Sequence, residues 1–277
     1  MPQNIDVLVS EVGPRDGLQS IKRTMPTKAK LDWIQALAAA GLQEIEVGSF
    51  VSPRLLPQMA DCDELVKESN KIKNLTVLAL VPNLKGAERA IAAGARKLTM
   101  PPSASRTHGL NNIGKTPEEA IDEVERVCAL RDTLPVKQRP EVEVGISTAF
   151  GCTLEGPVSE DRVIEMAGLL AKAGADSIGL SDTSGYANPN QIKRMFRRLR
   201  NEIGPEKMAG AHLHNTRGQG LANVVAALEE EVTTFDSSLG GLGGCPYAPG
   251  ATGNIVTEDL VFMLEAMGLR TGIDIEA

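Results

Sequence analysis

The chain has 277 residues, and 29 basic against 36 acidic side chains give it a net charge of −7. Its 42% hydrophobic and 23% charged residues match a folded globular protein and argue against long disorder. The negative balance and the 3% aromatic content disfavour nonspecific binding to nucleic acid or anionic membrane and stacking on bases. No apolar run approaches the roughly 18 residues of a membrane span. Met1-Pro2-Gln3-Asn4-Ile5-Asp6 lacks the basic and apolar regions of a signal peptide.

A first strand is predicted at Asp6–Glu11, leading into Gly13-Pro14-Arg15-Asp16-Gly17. A helix at Lys28–Ala40 follows, with Thr27 as its N-cap, then Gly41 and a strand at Glu44–Val47. Helix Asp61–Asn70, strand Leu75–Val81, helix Lys85–Ala93, Gly94 and strand Lys97–Met100 come next. Helix Pro117–Leu134 opens on a proline suited to a first turn and precedes strand Glu141–Ser147. Helix Glu160–Ala173, capped by Ser159, ends at Gly174 before strand Ser177–Leu180. Helix Pro189–Ile203, strand Met208–His212, helix Gly218–Glu231, strand Thr234–Ser237 and helix Glu258–Met267 complete the series. Three times an Ala-rich amphipathic run ends at a glycine, the residue that fits the left-handed position closing a helix, and a short apolar run follows.

Eight strand–helix pairs in strict alternation predict a (β/α)8 TIM barrel. An open doubly wound sheet usually carries GxGxxG after its first strand, and Gly13-Pro14-Arg15-Asp16-Gly17 is not one. No linker-like stretch divides the chain, so residues 1–277 are expected to form one domain.

In such a barrel the active site lies at the C-terminal ends of the strands. There the sequence places Arg15-Asp16, Ser49-Phe50-Val51-Ser52-Pro53, Pro102-Ser103, Ser147-Thr148, Ser181-Asp182-Thr183 and His212-Leu213-His214-Asn215. His212 and His214 are two of only three histidines. As residues i and i+2 of a strand they share a face, and two imidazoles beside the Asp16 carboxylate suit a divalent cation such as Mg2+ or Mn2+. Taken alone, Asp16 also fits a turn residue. Arg15 is placed to stabilise negative charge developing on a substrate oxygen, with a surface ion pair as the alternative.

Glu46, inside an otherwise apolar strand, needs partners. It can orient Arg15, support a metal ligand from behind, or pair structurally. Asp182 reads equally as a substrate or supporting ligand and as a helix N-cap. Gly240 to Asn254 holds six glycines in fifteen residues and reads as a lid carrying Cys245 as an acid or base, or as a turn with an inert thiol. Asn254, by position alone, reads as a helix cap. The four scattered cysteines form no CxxC, which fits a cytoplasmic protein with free thiols. Cys128 reads as core, Cys62 as a thiol whose pKa a helix start can lower, Cys152 as a pocket residue, and His108 as a solvated loop histidine.

The segments Glu11 to Gln19, Ser49 to Pro53, Pro57-Gln58-Met59, Gly241 to Asn254, and His212-x-His214 with Thr216 and Gly218-Gln219 resemble 3-hydroxy-3-methylglutaryl-CoA lyase over nearly the whole chain. Gly-Leu-Gly-Gly-Cys-Pro-Tyr-Ala is specific to that branch. The Arg-Asp and HxH elements are shared with metal-dependent synthases of the same superfamily. The resemblance implies a TIM barrel that cleaves a 3-hydroxyacyl-CoA to acetyl-CoA and a keto acid, acetoacetate in the parent case. It matches Asp16, His212, His214 and Asn254 to the metal ligands and Arg15 to the enolate-stabilising arginine. Cys245 matches the lid cysteine, and Glu46 and Asp182 the supporting acids. Asp16 or a histidine, His212 among the catalytic candidates, would be the base, and the sequence does not choose between them. It further implies an acyl-CoA substrate and a homodimer or higher homo-oligomer.

Asn215, Arg217, Thr153-Leu154 and the Met100-Pro101-Pro102-Ser103 loop depart from the lyase pattern and bear on the substrate. A lyase for a related branched 3-hydroxyacyl-CoA and a condensing synthase are the alternatives. The chain's end soon after the last predicted helix favours a lyase, because such synthases carry further C-terminal domains.

Overall fold

The computed structural model describes residues 5–244 and 250–277. Eight parallel strands close into a barrel: β1 (Leu8–Glu11), β2 (Glu44–Ser49), β3 (Thr76–Leu80), β4 (Lys97–Met100), β5 (Glu141–Ile146), β6 (Ser177–Asp182), β7 (Met208–Leu213) and β8 (Thr234–Ser237). Each strand pairs with its neighbour in chain order. β8 returns to β1, with Leu8 opposite Thr234 and Glu11 opposite Ser237.

Helices separate the strands: α1 (Thr27–Ala39), α2 (Cys62–Ser69), α3 (Leu84–Ala93), α4 (Arg106–Ile113), α5 (Pro117–Asp132), α6 (Glu160–Lys172), α7 (Pro189–Ile203), α8 (Gly220–Leu228) and α9 (Thr257–Ala266). This is the expected (β/α)8 barrel. No helix among the described residues is long and apolar enough to cross a membrane.

The alternation along each strand decides where the core lies. Ile45 and Val47, Leu98 and Met100, Val142 and Val144, Ile178 and Leu180, and Phe235 point outward. They pack against Ile34, Leu65, Val127, Leu170 and Phe196 of the helices. The intervening residues line a polar lumen. There Lys97 Nζ lies 2.9 Å from Glu44 and 3.1 Å from Glu143, and the Thr99 hydroxyl donates to Glu46.

Gly41, Gly94 and Gly174 close their helices at positive φ as the recurring pattern predicts. Ser159 caps α6 by accepting from Arg162 N, and Pro117 and Pro189 occupy first turns behind the caps Thr116 and Asn188.

Two expectations change. Thr27 is the first residue of α1, not its cap, because its hydroxyl is drawn to Asp61 Oδ2 at 2.9 Å. The loop expected around His108 is helix α4, started by Ser105, whose hydroxyl accepts from His108 N at 3.1 Å. His108 is therefore buried, not solvated. Its Nδ1 lies 3.0 Å from Ser103 Oγ, and burial pushes its pKa down to about 4.

Candidate active site

After β1 the chain winds into a single π-helical turn, Gly13–Gly17, in which Leu18 N–H reaches the Gly13 carbonyl. Buried Glu11 holds the turn's base. It accepts from Gly13 N at 2.8 Å, Leu239 N at 3.1 Å and the Thr257 hydroxyl at 2.7 Å. A Cβ at Gly13 would stand 2.5 Å from Glu11 Oε1, so a larger residue there would have to displace that carboxylate.

The turn aims Arg15 and Asp16 at the barrel mouth. Arg15 Nε donates to Glu46 Oε2 at 2.5 Å and Nη1 donates to Asp16 Oδ1 at 2.6 Å. Burial alone disfavours the guanidinium, but the two carboxylates outweigh it and hold it charged. Glu46 thus pairs with Arg15, an arrangement that fits both the orienting and the structural reading of this carboxylate.

His212 and His214 share a face, as their spacing requires, with their Nε2 atoms 3.1 Å apart. Asp16, His212 and His214 each offer a ligand atom, and these atoms lie within 4.8 Å of one another. Burial pushes Asp16 up, but Arg15 and the two imidazoles outweigh it and hold the carboxyl below its ordinary range. Burial, reinforced by His212, lowers His214 to about 4. An acid poised as an anion beside an imidazole poised as a neutral base is the protonation state a cation needs.

Asn254 joins this group from far along the chain. It pairs with His214 across an antiparallel bridge. Its Nδ2 donates to Asp16 Oδ2 at 2.7 Å and to the Leu242 carbonyl at 3.0 Å. Its Oδ1 is buried with no hydrogen-bond partner among the described residues. A lone amide oxygen beside a carboxylate and two imidazoles fits a divalent cation. Asn254 is not a helix cap: α9 starts at Thr257 behind Val256, and the Asn254 side chain turns to Asp16 instead. Gly243 sits against the pair at φ +122°, and a Cβ there would lie 2.6 Å from Asp16 Oδ2.

The remaining candidates separate. Asp182 Oδ1 and Oδ2 accept from Tyr186 N at 2.8 Å and Ala187 N at 3.1 Å, and burial lifts its pKa to about 6. It thus ties the turn after β6. It does not cap α7, whose N-cap is Asn188.

Arg217 donates to the carbonyls of Ser184 and Gly185 and lies 4.4 Å over the Tyr186 ring. Asn215 Oδ1 accepts from Gly220 N at 3.0 Å at the start of α8. Both departures from the lyase pattern therefore hold loops in place.

Cys62, Cys128 and Cys152 are free and buried. Burial pushes the Cys62 thiol well up, outweighing the lowering a helix start can give, and Cys128 up to about 11. Cys245 lies outside the described residues. Sequence reasoning passed over Thr99, Gln19 and Asp236. Gln19 donates to Asp16 Oδ1 at 2.7 Å, and Asp236 Oδ2 lies 2.9 Å from His212 Nδ1.

The family model described as HMGL-like matches residues 6–277. The hydroxymethylglutaryl-CoA lyase of Bacillus subtilis (strain 168) is 40% identical over 276 residues, covering 100% of this chain and 91% of that protein. The cytoplasmic 3-hydroxy-3-methylglutaryl-CoA lyase of Rattus norvegicus is 41% identical over 97% of this chain and 77% of its own length. Among solved structures, an HMG-CoA lyase from Acinetobacter baumannii in complex with coenzyme A and 3-methylmalate superposes with a TM-score of 0.91. It is 42% identical and is matched over 98% of this chain and 87% of that one. On sequence, fold and the residues gathered at the barrel mouth, the chain belongs to the HMGL-like family.

Proposed function

We propose that this protein is a divalent-metal-dependent carbon–carbon lyase that cleaves 3-hydroxy-3-methylglutaryl-CoA to acetyl-CoA and acetoacetate. The observation that carries the reading is Arg15 held between Glu46 and Asp16, directly beside the converging Asp16, His212 and His214. A binding protein that kept only a metal would have no use for a buried, doubly paired guanidinium.

Asp16, His212, His214 and the Asn254 Oδ1 would hold the cation, Mg2+ or Mn2+. When bound there, it supplies a Lewis acid that makes the tertiary hydroxyl of the substrate more acidic. Asp16, whose carboxylate keeps free lone pairs when one oxygen holds a cation, takes the hydroxyl proton. As the C2–C3 bond breaks, negative charge moves onto the thioester oxygen. Arg15, already fixed by two carboxylates, stabilises that charge without reorganising. Cys245 returns a proton to the acetyl carbanion. Glu46 keeps the guanidinium aimed, and Asp182 keeps the β6 turn in shape.

Arg217 Nη1 and Asn215 Oδ1 are engaged with backbone groups, which gives both residues a part in holding their loops. The three free, buried thiols accord with a reducing, cytoplasmic setting. The resemblance supports a homodimer or higher homo-oligomer, which light scattering checks.

The test is acetyl-CoA release from a panel of 3-hydroxyacyl-CoAs with Mg2+ or Mn2+. The reading expects 3-hydroxy-3-methylglutaryl-CoA to be the best substrate and a chelator to abolish turnover. Release from another acyl-CoA but not from this one would replace it.

A further inference from the structure

We propose that Asp236 is a positioning residue that keeps a proton on His212 Nδ1, so that His212 presents its Nε2 lone pair where Asp16 and His214 converge. The inference rests on the reading of those residues as a metal site.

The geometry is set by the strands. His212 and Asp236 are register partners on β7 and β8, so the backbone ladder fixes how far apart their side chains start. Asp236 Oδ2 lies 2.9 Å from His212 Nδ1, and the opposite edge of the same ring lies 3.1 Å from His214 Nε2. A carboxylate accepts hydrogen bonds and does not donate them, so the nitrogen facing it must carry the proton. Which ring nitrogen is left to bind a metal is decided by the hydrogen bond the other makes.

Charge balance in the lumen does not account for Asp236. It is an acid among acids, and it adds to the repulsion felt by Glu44, Glu46 and Glu143. A carboxylate placed there for folding alone would work against its neighbours. Its favourable partners are His212 and, at longer range, Arg15. Nothing in the mechanism above uses it, and the resemblance assigns it no role.

The chain has only three histidines, so ring 15N spectra of histidine-labelled protein can be assigned by single substitutions. In the parent, His212 Nδ1 should carry a proton both without metal and with Mg2+. In Asp236→Ala that fixed protonation should be lost, and Mn2+ affinity, read by calorimetry, should fall by about 10–100-fold. Asp236→Asn should show a smaller loss, because an amide can face Nδ1 with either its oxygen or its NH2. At saturating Mn2+ the Asp236→Ala protein should recover more of its kcat than a His212→Ala protein does.

An unprotonated Nδ1 in the parent overturns the proposal whether or not any variant folds. So does a folded Asp236→Ala that binds Mn2+ within about twofold of the parent. The parent's acetyl-CoA release is measured separately. If the parent is inactive on every acyl-CoA while the spectra and the Mn2+ result hold, the lyase reading fails and this assignment stands.

Discussion

Replacing Arg15 by methionine separates three quantities that the site ties together. The Arg15 side chain is 11% exposed and that of Glu46 2%, so the pair is buried. Methionine fills much of the same space but leaves Glu46 facing only the Thr99 hydroxyl. Removing one partner of a buried ion pair commonly costs about 3–5 kcal/mol, because the remaining charge is left uncompensated. Arg15→Met should therefore lower the urea midpoint markedly. Turnover should fall by about 10²–10³ through loss of a preorganised group at the enolate oxygen. Mn2+ affinity should be kept or raised, since a positive charge 2.6 Å from Asp16 is gone while Gln19 still donates to the same oxygen. The double variant Arg15→Met/Glu46→Gln removes the orphaned charge. It should regain most of the stability and none of the turnover. Urea unfolding, Mn2+ calorimetry and acetyl-CoA release on the two variants read all three. Near-normal acetyl-CoA release from Arg15→Met, or turnover returning with stability in the double variant, would show that Arg15 is only a structural partner of Glu46.

Gly243→Ala should weaken Mn2+ binding by about tenfold, because its Cβ would press on Asp16 and Asn254; Gly250→Ala, also at positive φ but with none of the described residues within 4 Å of its Cβ, should not. Calorimetry on the two distinguishes ligand displacement from backbone strain. Cys245→Ser should reduce turnover far more than Mn2+ affinity. An alkylating reagent should label Cys245 before the buried Cys62, Cys128 and Cys152, with saturating substrate protecting it, as read by peptide mass spectrometry. Burial lifts the Glu11 pKa from 4.5 to about 7, so between those values the unfolded chain has released a proton that the folded chain keeps, and stability falls as pH rises through that window. At about 1.4 kcal/mol per pH unit the loss is about 3 kcal/mol, and Glu11→Gln should abolish this part of the pH dependence in urea unfolding at pH 5 and pH 8.

The barrel was legible because its signals are local. A glycine at Gly41, Gly94 and Gly174 ends a helix within a few residues of the strand it precedes, and the physical reason, a left-handed backbone, acts at one position. The HxH pair was legible for the same reason, since a period of two fixes a shared face wherever the strand goes. What stayed hidden depends on residues far apart. The Asn254 amide meets Asp16 across 238 positions, so its own neighbourhood offered only a cap. The π-turn at Gly13–Gly17 follows from Glu11 accepting from Leu239 and Thr257 as well as from Gly13, and two of those three partners lie at the other end of the chain. Helix α4 was missed because its apolar content is low and its stability comes from the Ser105 cap and the buried His108.

Glu46 was singled out because a carboxylate in an apolar strand must find partners. The same argument applies to Glu44, Lys97, Glu143 and Asp236, which short strands disguised as flanking residues. The outward faces of these strands carry the core, so the inward faces are free to be charged, provided each charge is answered across the lumen. Lys97 answers Glu44 and Glu143, Arg15 answers Glu46 and Asp16, and Asp236 is met by a hydrogen bond from His212. Two of these three sets end on residues at the barrel mouth. The polar lumen thus supports the site from below. A substitution behind the metal-ligand candidates, such as at Asp236, is expected to alter metal binding without touching a substrate atom.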